Sequence, residues 1–169
     1  MTTRPVDRPR RWPDAVEARL AVDRAEARAE FPMALDLSEP DGLATLVAEI
    51  DRPGSAGRYP AVVSIAELAR IGDLPSAVGA LRRLLDPDGV LVAVEPVVRP
   101  RLLSTLTTSA WGVAPSVRGF HLGRDLPAAL RAAGFDLDDI DRWVVATRIA
   151  PLRNLVRVVA RPSVDRAPN

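Results

Sequence analysis

Few residues in this chain have the types and spacing for chemistry, and the first group lies in MALDLSEPDGLATLVAEI, residues 33 to 50. An apolar run, Met33 to Leu37, stops at a short polar loop, Ser38 to Gly42, before a helix-like stretch from Leu43 to Ile50. Strand, loop and helix in that order outline a nucleotide-binding turn, in which the N–H groups at a helix start face a ligand. Such turns usually carry several glycines, because positive φ is cheap only for glycine and a Cβ would fill the ligand's space. This loop carries only Gly42, and Pro40 removes a donor. An ordinary strand-to-helix connection is the plain alternative.

The second group follows two strongly apolar runs, AVVSI at 61–65 and VLVAVEPV at 90–97. In an open α/β sheet, ligands sit outside the carboxyl ends of parallel strands. That places Ser64, Ile65, Ala66 and Glu67 after one strand, and Glu95, Pro96 and Arg99 after the next. Glu67 can serve as an acid or base toward a substrate, or be a solvated loop acid. His121 is the only histidine and lies near Trp111 and Phe120. Its titration close to neutral pH suits proton transfer, and a packed or surface histidine is the alternative.

Composition narrows the field. At 169 residues the chain is one domain by length, with 47% hydrophobic and 27% charged residues, which implies a globular fold. All 23 basic residues are arginine and 22 acids balance them, so the net charge of +1 gives no electrostatic case for nucleic acid. With no cysteine and a single histidine, thiolate sites, disulfides and multi-histidine metal sites are excluded, and no metal is expected. No apolar run approaches the roughly 18 residues that span a membrane, and MTTRPVDRPRRWPD has no apolar core of a secretory signal behind it. The expectation is a cytoplasmic protein that makes no membrane contact.

The elements that must position these residues follow from pattern. Residues 1–13 read as a disordered basic, proline-rich tail, 14–162 as a single domain and 163–169 as a second disordered tail. A helix runs from Asp14 to about Glu30, with Val16, Leu20 and Val22 as its apolar residues, and Phe31-Pro32 ends it. Met33 to Leu37 reads as a short buried strand, 51–60 as a loop, and 61–65 and 90–97 as strands buried on both faces. Between them LPSAVGALRRLL, 74–85, is helical and DPDG, 86–89, is a turn. A helix over 124–135 ends at Gly134, and strands over 141–149 and 153–161 flank a turn at Pro151. So tight a connection makes that last pair antiparallel. Strand–helix alternation before it implies a parallel sheet with right-handed crossovers and helices on both faces.

From residue 58 onward the chain resembles the class I S-adenosylmethionine (SAM)-dependent methyltransferases of the small-molecule, methyltransferase-11-like type. RYPAVVSIAELARIGDLPSAVGALRRLLDPDGVLVAVEP is similar to that family's fourth strand, following helix and fifth strand. Leu68 and Asp73 stand where the family has Leu and Asp, and Arg83, Leu85, Pro87 and Gly89 match its R-x-L-x-P-G-G turn, with Asp88 for the first glycine. Pro60 stands where an Asp is usual, and Glu95-Pro96 closes the strand as in the family. GRDLPAALRAAGFDLDDIDRW resembles the late helix and the step into the sixth strand. The match covers about two-thirds of the chain.

Ahead of it, only one strand occupies the space of the family's first three. If that strand is the family's first, DLSEPDG is its glycine-rich loop, Asp36 the strand-end acid and Gly42 the last glycine; the acid of strand 2 then has no counterpart. If it is the third, Asp36 lies near the adenine. It can also be a new strand matching neither. Sheet geometry favours the first mapping. The family order 3-2-1-4-5-7-6 without strands 2 and 3 leaves a contiguous 1-4-5-7-6, whereas keeping strand 3 would bare the edge of strand 4. The expected fold is therefore a Rossmann-like α/β three-layer sandwich of about five strands, N-terminally reduced, with an antiparallel C-terminal pair.

The resemblance implies a SAM site built from Asp36, Ser38, Gly42, Ser64, Ile65 and Ala66, with Glu67 and His121 in catalytic positions. Glu95, Arg99, Trp111 and Phe120 would face a small-molecule substrate, although Trp111 and Phe120 can equally cap the core. The degenerate loop makes that SAM site doubtful. Three functions follow: a methyltransferase acting on a small molecule, a non-catalytic methyltransferase-like module or partner in a homo- or heterodimer, and a repurposed fold catalysing a cyclisation or isomerisation without methyl transfer.

Overall fold

The computed structural model describes residues 14–54, 57–97, 120–122, 124–146 and 154–163. Five strands form one sheet: β1 (Leu35–Asp36), β2 (Tyr59–Ile65), β3 (Leu85–Pro96), β4 (Phe135–Val144) and β5 (Asn154–Pro162), in spatial order β1-β2-β3-β5-β4. The first three run parallel, β5 is antiparallel to β3, and β4 is antiparallel to β5. This is the contiguous 1-4-5-7-6 sheet, with β1 in the place of the first strand.

Among the described residues four α-helices cover the sheet: α1 (Asp14–Glu30), α2 (Pro40–Asp51), α3 (Leu74–Leu84) and α4 (Leu126–Ala132). Alternation along the strands separates two cores. Val62, Leu91, Ala93 and Val158 point to the face packed by Leu46 of α2, Leu81 of α3 and Leu130 of α4. Val63, Ile65, Val94 and Leu155 point to the face packed by Val16, Leu20 and Ala27 of α1. The steps β1→β2→β3 all advance the same way across the sheet, so right-handed crossovers put α2 and α3 on one face.

The helix α1 buries Val16, Leu20, Asp23 and Ala27, one row at helical spacing, while Val22 faces out at 48% exposure. Asp23 survives in that row because Arg19 grips both its oxygens at 2.7 and 3.0 Å and stacks over Trp143. Another buried acid, Glu49 of α2, accepts from Arg83 Nε of α3 at 2.7 Å and from the Gly54 N–H at 3.2 Å, which ties the two helices together.

Some boundaries differ from the sequence expectation. The first strand shrinks to two residues, because only Leu35 and Asp36 pair with β2, and Met33 is 76% exposed. The helix after it begins at Pro40 instead of Leu43, so Pro40, Asp41 and Gly42 belong to α2; proline fits there because the first-turn N–H groups lack intrahelical acceptors. The 86–89 turn lies within the assigned β3, as an irregularity where pairing jumps from Tyr59–Leu85 to Ala61–Val90. The helix expected over 124–135 is shorter, and the strand expected from 141 starts at Phe135. The Pro151 turn and the two expected tails lie outside the described residues, except for Ser163.

Asp73 caps α3 by accepting from the Ser76 N–H at 3.1 Å and the Ser76 hydroxyl at 2.7 Å, hydrogen bonds that hold its carboxyl below the usual range. Asp73→Ala should cost about 1 kcal/mol, readable as a melting temperature lower by about 3 °C, with Asp73→Asn restoring most of it.

Candidate functional site

The carboxyl ends of β1, β2 and β3 converge on the turn that follows β2. Ala66 opens this turn with φ of 62°, the one non-glycine residue at positive φ among those described, and its N–H donates to Val94 O at 2.7 Å. A residue with a Cβ is strained in that region. What holds it is Glu95, at the end of β3. Its Oε1 accepts from the Ser64 hydroxyl at 2.8 Å and the Leu68 N–H at 3.0 Å, and its Oε2 accepts from the Ala69 N–H at 3.0 Å. Only 3% of Glu95 is exposed, and burial pushes its carboxyl up to about 8 against the pull of those three donors.

The turn divides the strand ends into two regions. Toward α3 lies a cleft of about 20 Å³ lined by Leu68, Leu74, Glu95, Val97, His121 and Arg124 among others. That is room for about one water and well short of a ligand pocket. Arg124 donates to the carbonyls of Ile71 and Gly72, and the His121 N–H donates to Ala69 O at 2.7 Å. The His121 side chain is exposed, and burial of part of the ring together with the Arg124 charge lowers its pKa.

Toward α1 lies a cluster of charges. Arg28 of α1 donates to Asp36 Oδ2 at 2.8 Å and also meets Glu39, while the Ser38 N–H donates to Asp36 Oδ1 at 2.8 Å. Glu67 accepts from Arg70 Nη1 at 3.1 Å and lies near Arg24 of α1. Glu67 is only 7% exposed, so it is not a solvated loop acid; burial raises its pKa, Arg70 and Arg24 oppose the rise, and Asp36 adds to it. Phe120 packs beneath Arg70, whose guanidinium lies 5.5 Å from the ring centre.

The expected site residues are thus split. Asp36 and Ser38 meet at the end of β1 with Glu67 within electrostatic reach, Ser64 and Glu95 build the turn, and Ile65 is core. Glu95 faces the backbone of its own chain with both oxygens, which occupies the group expected to face a substrate. Arg99 and Trp111 lie outside the described residues. Sequence reasoning missed Arg24, Arg28, Arg70 and Arg124; only the Glu67–Arg70 spacing of three residues could have signalled a pair.

The β1–α2 turn does not fit an adenosyl cofactor held in the glycine-rich manner. Gly42 packs α2 onto β1, since a Cβ there would stand 2.0 Å from Asp36 O and 3.2 Å from Leu37 Cα, which is the duty of the last glycine of such a loop; the earlier glycines are missing, with Ser38 and Pro40 in the loop instead. The Asp36 carboxylate is engaged by Arg28 and by Ser38. The parallel strands also advance in one direction, so winding does not reverse between β1 and β2, where an open sheet would otherwise form its ligand crevice.

No family model matches the sequence, and no curated protein matches it. Solved structures do match. One is a Bacillus halodurans protein described as a methyltransferase, at 12% identity and a TM-score of 0.54, covering 68% of this chain and 69% of that one. A second is a SAM-dependent methyltransferase from Methanosarcina mazei, at 14% identity and 0.50, covering 67% and 63%. A third is the [4+2]-cyclase SpnF, at 18% identity and 0.50, covering 68% and 53%. The chain therefore spans about half of the cyclase and under two-thirds of the Methanosarcina enzyme. These likenesses show the methyltransferase fold.

Proposed function

We propose that the protein is a small-molecule-binding module of methyltransferase fold that works without SAM. The observation that carries this reading is that the chain's own Arg28 and Ser38 hold the Asp36 carboxylate at the end of β1, in a turn without the glycines that let a cofactor approach. The buried and unpartnered Arg24 Nε, Arg70 Nε and Ser38 Oγ near the strand ends support binding of a small molecule there. The alternative, methyl transfer from SAM to a small molecule, has the fold behind it. Methyl transfer needs little acid–base help, since positioning supplies much of the rate. A cofactor cradle is what it does need.

Thermal melting with SAM tests the reading. A ligand present at 100 times its Kd stabilises by about 2.7 kcal/mol, which for a chain of this size is a rise of about 5–10 °C. The melting temperature should stay unchanged up to about 1 mM SAM. A saturable rise overturns the proposal.

A further inference from the structure

We infer that the α1-side cluster at the ends of β1 and β2 binds a small oxyanion, a carboxylate or a phosphate, through Arg24, Arg70 and Ser38. The inference deepens the functional reading above and rests on it, because it gives this space to a ligand other than SAM.

Three buried side-chain atoms here lack a hydrogen-bond partner among the described residues: Arg24 Nε, Arg70 Nε and Ser38 Oγ. A buried polar group without a partner is costly, and each one in a folded protein calls for an explanation. The neighbourhood is shared. Arg24 and Arg70 both act on Glu67, Asp36 acts on it as well, and Ser38 lies on Asp36 through its N–H. The residues come from three separate places in the chain, α1, the end of β1 and the turn after β2, so topology brings them together. The fourth unpartnered atom, Trp143 Nε1, belongs to the ring stacked by Arg19 and is not part of this group.

The chemistry of the missing partner follows from the donor set. The two Nε–H groups can only donate, and the serine hydroxyl can donate, so the ligand must present acceptors. The carboxylates at hand are committed: Asp36 to Arg28 and the Ser38 N–H, Glu67 to Arg70 Nη1. Arg24, Arg28 and Arg70 stand against Asp36, Glu39 and Glu67, so the charges balance and the case for an oxyanion rests on the unpartnered donors. Guanidinium groups bind carboxylate and phosphate with a planar fork of donors. The surrounding Ala66 and Ala69 are small, and α1 closes the face above them, so the ligand is small.

Melting of the whole chain in sodium acetate and in sodium phosphate, each balanced with chloride to constant ionic strength, tests this. One of the two should raise the melting temperature saturably at concentrations up to about 10 mM, and which one does so identifies the anion. Arg24→Met and Arg70→Met should each weaken that binding about tenfold or more, and Ser38→Ala about threefold. If an arginine variant fails to fold, Arg24→Lys and Ser38→Ala read the same site, since both remove a donor and retain most of the packing. Equal stabilisation by chloride, or unchanged affinity in the variants that fold, overturns the inference. SAM is titrated in parallel. SAM protection overturns the functional reading whatever the oxyanions do, whereas failure of both SAM and the oxyanions overturns only the oxyanion site.

Discussion

Replacing Gly42 with alanine is expected to lower the unfolding free energy by about 2–3 kcal/mol, the cost of forcing extra volume into a packed contact. Helix propensity alone gives the opposite sign, since alanine inside a helix is favoured over glycine by about 1 kcal/mol. The clash decides the outcome. The new Cβ would lie 2.0 Å from Asp36 O and 2.7 Å from Asp36 C, both backbone atoms of the adjoining strand, so α2 itself must move. Gly79 in α3 is the control: there a Cβ meets only the end of Arg83, at 3.7 Å. Gly79→Ala should raise stability by up to about 1 kcal/mol. Chemical denaturation of the two variants against wild type reads both signs in one experiment. A Gly42→Ala protein as stable as wild type would remove the argument that this glycine serves packing.

Glu95 carries the second large effect. Glu95→Ala strips an acceptor from the Ser64 hydroxyl and from the Leu68 and Ala69 N–H groups, all buried. At about 1–3 kcal/mol for each buried group left unsatisfied, the loss should be on the order of 4 kcal/mol. The Ala66 turn should loosen with it, visible as faster amide exchange at Leu68 and Ala69. A pH signature separates this from a simple cavity. Burial raises Glu95 from 4.5 to about 8 in the folded protein. The folded chain therefore holds a proton that the unfolded chain releases, and stability falls as pH rises between those two values. Its contribution is complete below about pH 4.5 and is lost by the time pH passes about 8. Glu67 and Asp23, also raised by burial, slope the same way. Glu95→Gln should flatten most of the decline between pH 5 and 8 (on the order of one titrating group). An unaltered slope in that variant would assign the pH dependence elsewhere.

Much of the fold was legible because β2 and β3 are continuous β-branched runs that can only be buried strands, and because alternation with helices implies parallel pairing. The order of strands followed from asking which deletion leaves no bare internal edge. Where the reading slipped, local chemistry had a different use than expected. Pro40 looked like a loop residue and is instead the first residue of α2. The front half of β4, FDLDDI, fell outside the strand expected over 141–149, since three aspartates interrupt it; it pairs along β5 as the edge strand, with Asp138 held by Arg161 and Asp139 by Arg157. Charges of this kind are what edge strands tolerate and even require.

The candidate site was legible only in its acids. Glu67 and Glu95 stand out because each ends an apolar run, and topology places strand ends together. Their partners could not be singled out. With 23 arginines in the chain, nothing in the sequence distinguishes Arg24 or Arg70 from the rest. Their meeting depends on where the 17-residue α1 crosses the sheet, which brings Arg24 within electrostatic reach of Glu67. Nor could composition tell that Glu95 would spend both oxygens on backbone and serine donors; that depends on the positive φ at Ala66 folding the turn back over β3.

The central question is whether the first strand and its helix leave room for an adenosyl group. Calorimetric titration of SAM into the purified chain addresses this most directly. Heats indistinguishable from dilution at millimolar SAM are predicted; a one-to-one isotherm with micromolar affinity would contradict the account.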